Sequence, residues 1–339
     1  MKKYVLFIGI DISKKWIDVA LTPDGQKDQM HHQRFSNKLK GFKKMMRWIM
    51  KFIRQQNLAP CFLFCMEHTG VYTFPLCYFL QEQGFDYVLD SALRIKRSLG
   101  IKRGKDDKAD SMDIARYIYL HHKELKASVL PAKVLMDLKN LLAYRNRLVK
   151  KCQAIKVAAS ETKAFMPDDS IMNWIMEDSE EIINLLKSKI KKVESRINEL
   201  VSQDREIKRI FDLATSVKGI GPINALQMII HTNCFKAFDT ARQFACYIGI
   251  APFHKKSGTS LNIEAKVSPL GHKKLKALLT NGVMSAIQND KELKAYYERK
   301  VAQGKIKYKV LNAVKNKLVS RVFATVKRGT PYVELSNYI

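Results

Sequence analysis

Residues 4–22 read YVLFIGIDISKKWIDVALT, and their pattern decides the fold class. Two β-rich apolar runs, 4–10 (YVLFIGI) and 16–22 (WIDVALT), are joined by the short linker DISKK. The stretch therefore reads as a β-hairpin, with Asp11 at the end of its first strand. The basic start Met1-Lys2-Lys3 before an apolar run has the outline of a secretion signal. Asp11 stops that run and no small-residue cleavage site follows, so the segment reads as a mature strand. Further on, CFLFCMEHTG (61–70) is a third apolar run that ends in Glu67 and a glycine turn, and FDYVLDSA (85–92) is a fourth. LKGFKKMMRWIMKFIRQQ and TFPLCYFLQEQG, between the strands, are amphipathic helix candidates. Strands alternating with helices make this an α/β module.

The whole chain has 339 residues, 60 Lys+Arg and 32 Asp+Glu, for a formal charge of +28. That length suits two or three domains. A 46% hydrophobic content with 16 Phe and 13 Tyr is enough for real cores and excludes disorder as a description of the whole. A surplus of this size calls for a polyanionic partner, because phosphates neutralise it. No apolar run approaches the roughly 20 residues of a bilayer span, so no membrane is expected. The six cysteines (61, 65, 77, 152, 234, 246) form no CxxC pair and lie mostly among apolar neighbours. They read as reduced residues of a cytoplasmic protein, not as a disulfide framework or a zinc site.

The charge is uneven: net +10 over residues 1–130, +2 over 131–206 and +16 over 207–339. This suggests two modules facing nucleic acid, joined by a structural spacer. The spacer reads as helical. Apolar residues recur at three- and four-residue spacing from 135 to 157, Pro167 breaks the pattern, and it resumes over 182–210. Ile183, Leu186, Ile190, Val193, Ile197 and Leu200 form a narrow stripe in that second helix. It fits equally two helices packed within one chain or a dimerising coiled coil. The expected domains are thus 1–130, 131–210 and 211–339.

Asp11 and Glu67 each follow an apolar strand, which is where a two-metal phosphoryl-transfer site needs carboxylates. KRGKDDKADSMDIARYI adds acids from a helix: Asp107 and Asp110 are three apart and share a face. Asp110 and Asp113 are also three apart, so the register has two readings. Helix capping by Asp106 or Asp107 explains one acid of this group, not four.

In the basic C-terminal third, VKGIGPINA reads as helix, Gly-x-Gly turn and helix. Gly219 and Gly221 would let backbone N–H groups face a phosphate, as in helix-hairpin-helix binders; the alternative is an ordinary glycine turn. HKKSGTS, residues 254–260, reads as a polar basic turn. Lys273 and Lys274 are further candidate nucleic-acid contacts, and His272 before them reads as the polar residue of a helix start. The stretch from Lys305 to Tyr332 is a basic helix with an apolar face, closed by Gly329 and Pro331.

GIDISKKWIDVAL, the glutamate of MEHTG and KDDKADSMDIARYI together resemble the DEDD transposases of bacterial insertion sequences. Relatives of that family include Piv-type invertases and bridge-RNA-guided recombinases. The resemblance implies an N-terminal RNase H-like, RuvC-like domain, α/β in class, followed by a mainly helical C-terminal transposase domain. By matching position it implies a Mg²⁺-binding tetrad of Asp11, Glu67, Asp107 and Asp110, with Mn²⁺ as the alternative ion. Where the family reads K-T-D-x-x-D-A, this chain has Lys105-Asp106-Asp107-Lys108-Ala109-Asp110-Ser111. Phe238, Phe244, Tyr247, Gly249, Pro252, Ser257, Gly258, Gly271 and Leu275 fit the family's C-terminal pattern. That match gives Ser257 the role of nucleophile, with Ser260 as alternative, and Lys255, Lys256 and Gly258 beside it as phosphate contacts. The implied activity is DNA strand cleavage and exchange in insertion-sequence mobility, on element ends and target. A noncoding guide RNA, a dimer or tetramer, and a place at the nucleoid of a bacterial cytoplasm are the implied partners and setting. A junction-resolving nuclease using water and a non-catalytic DNA-binding protein are the rival readings.

Overall fold

The computed structural model describes residues 4–68, 70–100, 106–165, 170–257 and 261–333, with the backbone alone for 254–257 and 261–266. The chain divides into two compact units, Met1–Leu130 and Pro131–Ile339.

Unit 1 is built on a sheet of five strands: β1 (Leu6–Ile12), β2 (Trp16–Thr22), β3 (His31–Ser36), β4 (Phe62–Glu67) and β5 (Tyr87–Asp90). Their order is β3-β2-β1-β4-β5. β1 runs antiparallel to β2, and β2 to β3, whereas β4 and β5 run parallel to β1. Order and directions agree with the RNase H-like expectation. The helices are α1 (Leu39–Gln55), α2 (Phe74–Glu82), α3 (Ala92–Ser98) and α4 (Asp107–His121). One face of the sheet buries Ile8, Ile10, Val19 and Phe64 against Met45 and Ile49 of α1 and Leu76 and Leu80 of α2. The other buries Phe7, Leu63, Cys65 and Val88 against Ile114, Tyr117 and Ile118 of α4. The hairpin, both later strands and α1 and α2 stand where the periodicity puts them. β3 was not foreseen. Its sequence, HHQRFS, is polar because it is an edge strand, and Phe35 alone of its six residues is buried.

Gly9 sets the distance between sheet and α4. A Cβ there would lie 2.1 Å from the Ala115 nitrogen and 2.3 Å from the Ser111 carbonyl oxygen. Only a residue without a side chain lets this helix lie so close to the central strand.

Unit 2 begins with two long helices, α5 (Lys133–Phe165) and α6 (Ser170–Gln203). Pro167 lies outside the described residues. α6 ends where the sequence pattern had run on to 210. Asp204 starts a new helix, α7 (Arg205–Thr215), by accepting a hydrogen bond from the Ile207 N–H at 2.9 Å. Such a cap satisfies an orphan donor and resets the chain direction, which apolar spacing cannot reveal. Val193, Ile197 and Val201 of α6 join Leu135, Leu138 and Leu142 of α5, Ile207 and Ile210 of α7, and Leu226 and Ile229 of α8 (Pro222–His231) in one core. Val193, Ile197 and Leu200 of the stripe therefore pack within the chain, whereas Ile183, Leu186 and Ile190 are half-buried and lie outside this core. At the other end of the pair, Phe165, Ile171 and Trp174 are exposed.

The rest of unit 2 comprises α9 (Ala241–Ile248), β6 (Pro252–Ser257), β7 (Leu261–Val267), α10 (Lys273–Asn289), α11 (Lys291–Ala302) and α12 (Lys307–Arg328). Residues 254–257 belong to a strand of an antiparallel ribbon, not to the turn read from HKKSGTS. Gly329, in the left-handed region at φ +77°, ends α12 as expected. All six cysteines are free. No helix of the described residues is long and apolar enough to cross a membrane.

Candidate active site

Three elements of unit 1 converge on Asp11. It lies near the end of β1, directly opposite Asp18 on β2. Ile10 pairs with Met66 on β4, so Glu67 is the next residue along the neighbouring strand. The first turn of α4 adds Asp107 and Asp110. Asp11 registers all of them. Its carboxyl is pushed up to about 6, first by burial and then by the charges of Asp107, Asp110, Glu67 and Asp18. Each neighbouring carboxylate disfavours a further negative charge.

The acids at the N-terminus of α4 separate into distinct jobs. Asp106 is the cap, its carboxylate accepting from the Lys108 N–H at 3.1 Å. That leaves Asp107 and Asp110 for Asp11. Asp113 is largely buried and pairs with Lys27 at 2.5 Å, and it is absent from the charges that act on Asp11. The structure thus brings together Asp11, Glu67, Asp107 and Asp110. Asp90, at the end of β5, accepts a 2.7 Å hydrogen bond from the Tyr117 hydroxyl and sits 3.5 Å from Arg94.

Sequence reading missed Asp18. It is 3% exposed and faces the same side of the sheet as Asp11. Arg34, its partner on β3, donates to both carboxylate oxygens through Nε at 3.0 Å, and His32 Nε2 lies 2.9 Å from Oδ1. Arg34 also reaches Asp107 at 3.3 Å. Asp18 is thereby committed to a neighbouring strand, and Arg34 ties the sheet edge to the start of α4. The alternation of WIDVALT with HHQRFS carried the signal, had the second been read as a strand.

Among the described residues, no three His, Cys, Asp or Glu side chains close into a metal cage as they stand. The acids act on one another at Coulombic range, which exceeds ligation distance. The donor set is all oxygen, carries several negative charges and is part-exposed. That suits a hard divalent ion, which keeps water and phosphate oxygens among its ligands, better than zinc.

Unit 2 presents the other candidate. Ser257 is the last residue of β6 and pairs with Leu261 across the ribbon. Lys255 and Lys256 precede it on the same strand, while Gly258 and Ser260 lie outside the described residues. The root of the ribbon is firmly held. A Cβ on Gly271 would lie 2.3 Å from the Gly249 Cα, and Gly249 itself has φ +72°. Asn312 and Asn316 donate to the Ile250 carbonyl at 2.8 and 2.9 Å, and the Lys276 ammonium donates to the Gly249 carbonyl at 3.0 Å. His272 caps α10, its Nδ1 accepting from the Leu275 N–H at 3.2 Å, and Lys273 and Lys274 stand exposed behind it. Tyr247 Oη lies 3.0 Å from Nδ1 of His231, whose ring is 4.6 Å from that of His272. Burial, then His272 and Lys139, pull His231 down to about 4. Gly219 is needed for packing: a Cβ would meet the Gly282 carbonyl of α10 at 2.5 Å. Gly221 faces open space at the start of α8.

Residues 8–162 match the transposase family DEDD_Tnp_IS110. Residues 212–298 match the Transposase IS116/IS110/IS902 family. Relatives include the pilin gene-inverting protein of Moraxella bovis, 25% identical over 332 residues, which are 96% of this chain and 97% of that protein. The pilin gene-inverting protein of Moraxella lacunata matches with the same identity and coverage. A probable family 20 transposase of Pseudomonas aeruginosa is 25% identical over 48% of this chain and 47% of its own. Among solved structures, T. thermophilus RuvC in complex with a Holliday junction substrate aligns with 38% of this chain and 100% of its own, at 8% identity and a TM-score of 0.27.

Proposed function

Because the chain belongs to the IS110 family of DEDD transposases, we propose that it cuts and rejoins DNA with Ser257 as nucleophile and Asp11, Glu67, Asp107 and Asp110 as the Mg²⁺ ligands. The observation that carries this reading is the placement of Asp11 and Glu67 on adjacent strands beside the first turn of α4, whose Asp107 and Asp110 act with Glu67 to raise the Asp11 carboxyl. Bound there, Mg²⁺ (or Mn²⁺) would draw charge from a phosphate. The chain's own residues do the rest. The carboxylates hold an open, oxygen-lined seat. Ser257 Oγ bonds to phosphorus as the P–O bond to the departing strand breaks; the serine proton goes to a base, and the departing oxygen takes one up. Lys255 and Lys256 neutralise the phosphate that carries the new bond. The phosphodiester is kept as an ester, so a second strand's hydroxyl can reverse the step without ATP.

The two Moraxella relatives are, by name, pilin gene-inverting proteins, which supports recombination over simple cutting. Two strands must be exchanged, so a homo-oligomer is part of the proposal; exposed Phe165, Ile171 and Trp174 on α5 and α6 suit contact between copies. A noncoding guide RNA would account for the lack of any base-reading motif, since pairing can carry specificity while the protein reads backbone.

The test is a denaturing quench of a cleavage reaction on element-end DNA. DNA should remain covalently attached to the protein, with the adduct lost in Ser257→Ala and kept in Ser260→Ala. Near-normal cutting by Ser257→Ala with free 5′ and 3′ ends would replace the serine by water and leave a junction nuclease.

A further inference from the structure

A groove of about 700 Å³ runs along the free edge of β3, on the outer side of the sheet. Trp16, Arg34, Lys44, Arg47, Trp48 and Lys51 line it. Among the described residues, no acidic side chain does so. Its basic wall is α1, which carries Lys40, Lys43, Lys44, Arg47, Lys51 and Arg54 and not one carboxylate. One apolar stripe of α1 is spent on the core through Phe42, Met45, Ile49, Phe52 and Ile53. Its charged face is therefore free to serve another purpose.

The aromatic residues differ in kind. Trp48 is packed, its ring 5.6 Å from that of Phe35. Trp16, at the start of β2, is 48% exposed. Its exposed indole offers a flat face for stacking beside cations that can hold phosphates. Grooves that combine tracking cations with stacking aromatics are the mark of single-stranded nucleic-acid sites. A duplex keeps its bases stacked on each other and offers no base face to Trp16. At this volume the groove falls in the range of roughly 300–1,000 Å³ that takes drug-sized ligands, so it suits a nucleotide or two.

Arg34 lines the groove and at the same time contacts Asp18 and Asp107. Arg34, on the edge strand, is thus common to the groove and the acidic site. We infer that this groove seats an unpaired stretch of the DNA strand adjoining the bond to be cut, its phosphates on Lys44, Arg47 and Lys51 and one base on Trp16. The inference rests on the recombinase reading for the choice of DNA. Acids alone would repel a phosphodiester; cations beside them would hold it within reach of the ions.

The experiment uses the full chain in EDTA, so that no cutting intervenes. A 20-nucleotide single-stranded DNA containing 4-thiothymidine is irradiated with long-wave ultraviolet light, and adducts are mapped by mass spectrometry of tryptic peptides. The expected adduct lies on the peptide that begins at Trp16. Its yield should fall about tenfold in a Lys44→Ala, Arg47→Ala, Lys51→Ala variant, all three residues being exposed. The yield's logarithmic salt dependence should flatten by about two, from three lost single-strand phosphate contacts. Trp16→Phe keeps an aromatic face and should keep the adduct. An adduct absent from this peptide, or untouched by the triple substitution, overturns the groove. So does preferential adduct formation by the same sequence as RNA with 4-thiouridine. A chain that forms the serine adduct but shows no Trp16 adduct loses the groove alone. A chain that forms the Trp16 adduct but never cuts DNA loses the recombinase reading alone.

Discussion

The two units hold their candidate chemistry by different means. In unit 1, each acid is placed by a contact between elements: Asp11 by strand pairing with β2 and β4, and Asp107 and Asp110 by a helix pressed against Gly9. In unit 2, Ser257 stands on a two-stranded ribbon whose root, at Gly249 and Ile250, is clamped by Gly271, Asn312, Asn316 and Lys276. The first arrangement fixes its acids through packed elements, as the proposed ion seat would require. The second places a residue at the end of an arm. A reaction that must bring a phosphate to ions and then pass it between strands needs both, and the difference gives ways to take them apart.

The largest expected effect separates ion seat from nucleophile. Asp11→Ala should cut strand cleavage by at least about 10³-fold, while affinity for DNA at moderate salt stays within about twofold, since a ligand position is lost and no phosphate contact. Ser257→Ala should be as inactive. Full cutting by Asp11→Ala would show that the acids of unit 1 have no part in the reaction and that unit 2 works alone.

The register of the helical acids gives the next contrast. Asp107→Asn should be inactive and fold normally, because its side chain is 43% exposed and makes one long contact to Arg34. Asp113→Asn should retain much of its activity and lose stability, because its largely buried carboxylate pairs directly with the half-exposed Lys27 ammonium. Removing one member of such a pair typically costs about 1–3 kcal/mol, seen as a lower midpoint in urea. The reverse ranking of the two variants would move the ion seat one turn along α4.

How far the residues alone reveal this follows from which signals are local. The hairpin, β4 and β5 were legible because apolar runs of strand length ended in turn residues, and each carboxylate at a strand end could be read off directly. The edge strand β3 was not, because an edge strand with one buried residue has no periodicity to read, and with it went Asp18, Arg34 and the groove. Asp204 was invisible as a break because a capping aspartate looks like any charged residue on a helix surface. Residues 254–257 looked like a turn because Lys-Lys-Ser-Gly is turn chemistry; ribbon pairing with 261–267 is a non-local fact. Gly9 and Gly219 are the clearest case of the same limit. Nothing nearby in sequence shows that Ala115 or Gly282 lies against them.

Packing steps give a smaller effect. Gly9→Ala would drive a methyl group into the backbone of α4 and should destabilise unit 1 by about 1–3 kcal/mol, with cleavage lost as Asp107 and Asp110 move away from Asp11. Gly271→Ala presses instead on Gly249 at the ribbon root. It should leave hydrogen exchange in unit 1 unchanged while it abolishes the serine adduct. Faster exchange in β1 and α4 of Gly271→Ala would mean that the two units do not hold their chemistry independently.

The smallest effect is in pH, and there the two units should move in opposite directions. Asp11 has a folded value near 6 against 3.8 for the free carboxyl. Between those values the folded form holds more protons than the unfolded one, so unit 1 loses stability as pH rises from about 4 to about 6 in the absence of ions. His231 has a folded value near 4 against 6.5. There the unfolded form holds more protons, so unit 2 gains stability as pH rises through that interval. Both groups are partly open to water, so each contribution is discounted by screening. Amide exchange followed separately in β1 and α8, in EDTA, from pH 4 to 6.5 should show the two slopes. Asp11→Asn should flatten the first and leave this variant the more stable at pH 7.5 without ions, and His231→Gln should flatten the second. Adding Mg²⁺ should restore stability to the parent and not to Asp11→Asn, because binding to the folded form alone stabilises it. A parent protein more stable than Asp11→Asn at pH 7.5 in EDTA would mean that the four carboxylates do not strain one another, and would remove the electrostatic reason for an ion between them.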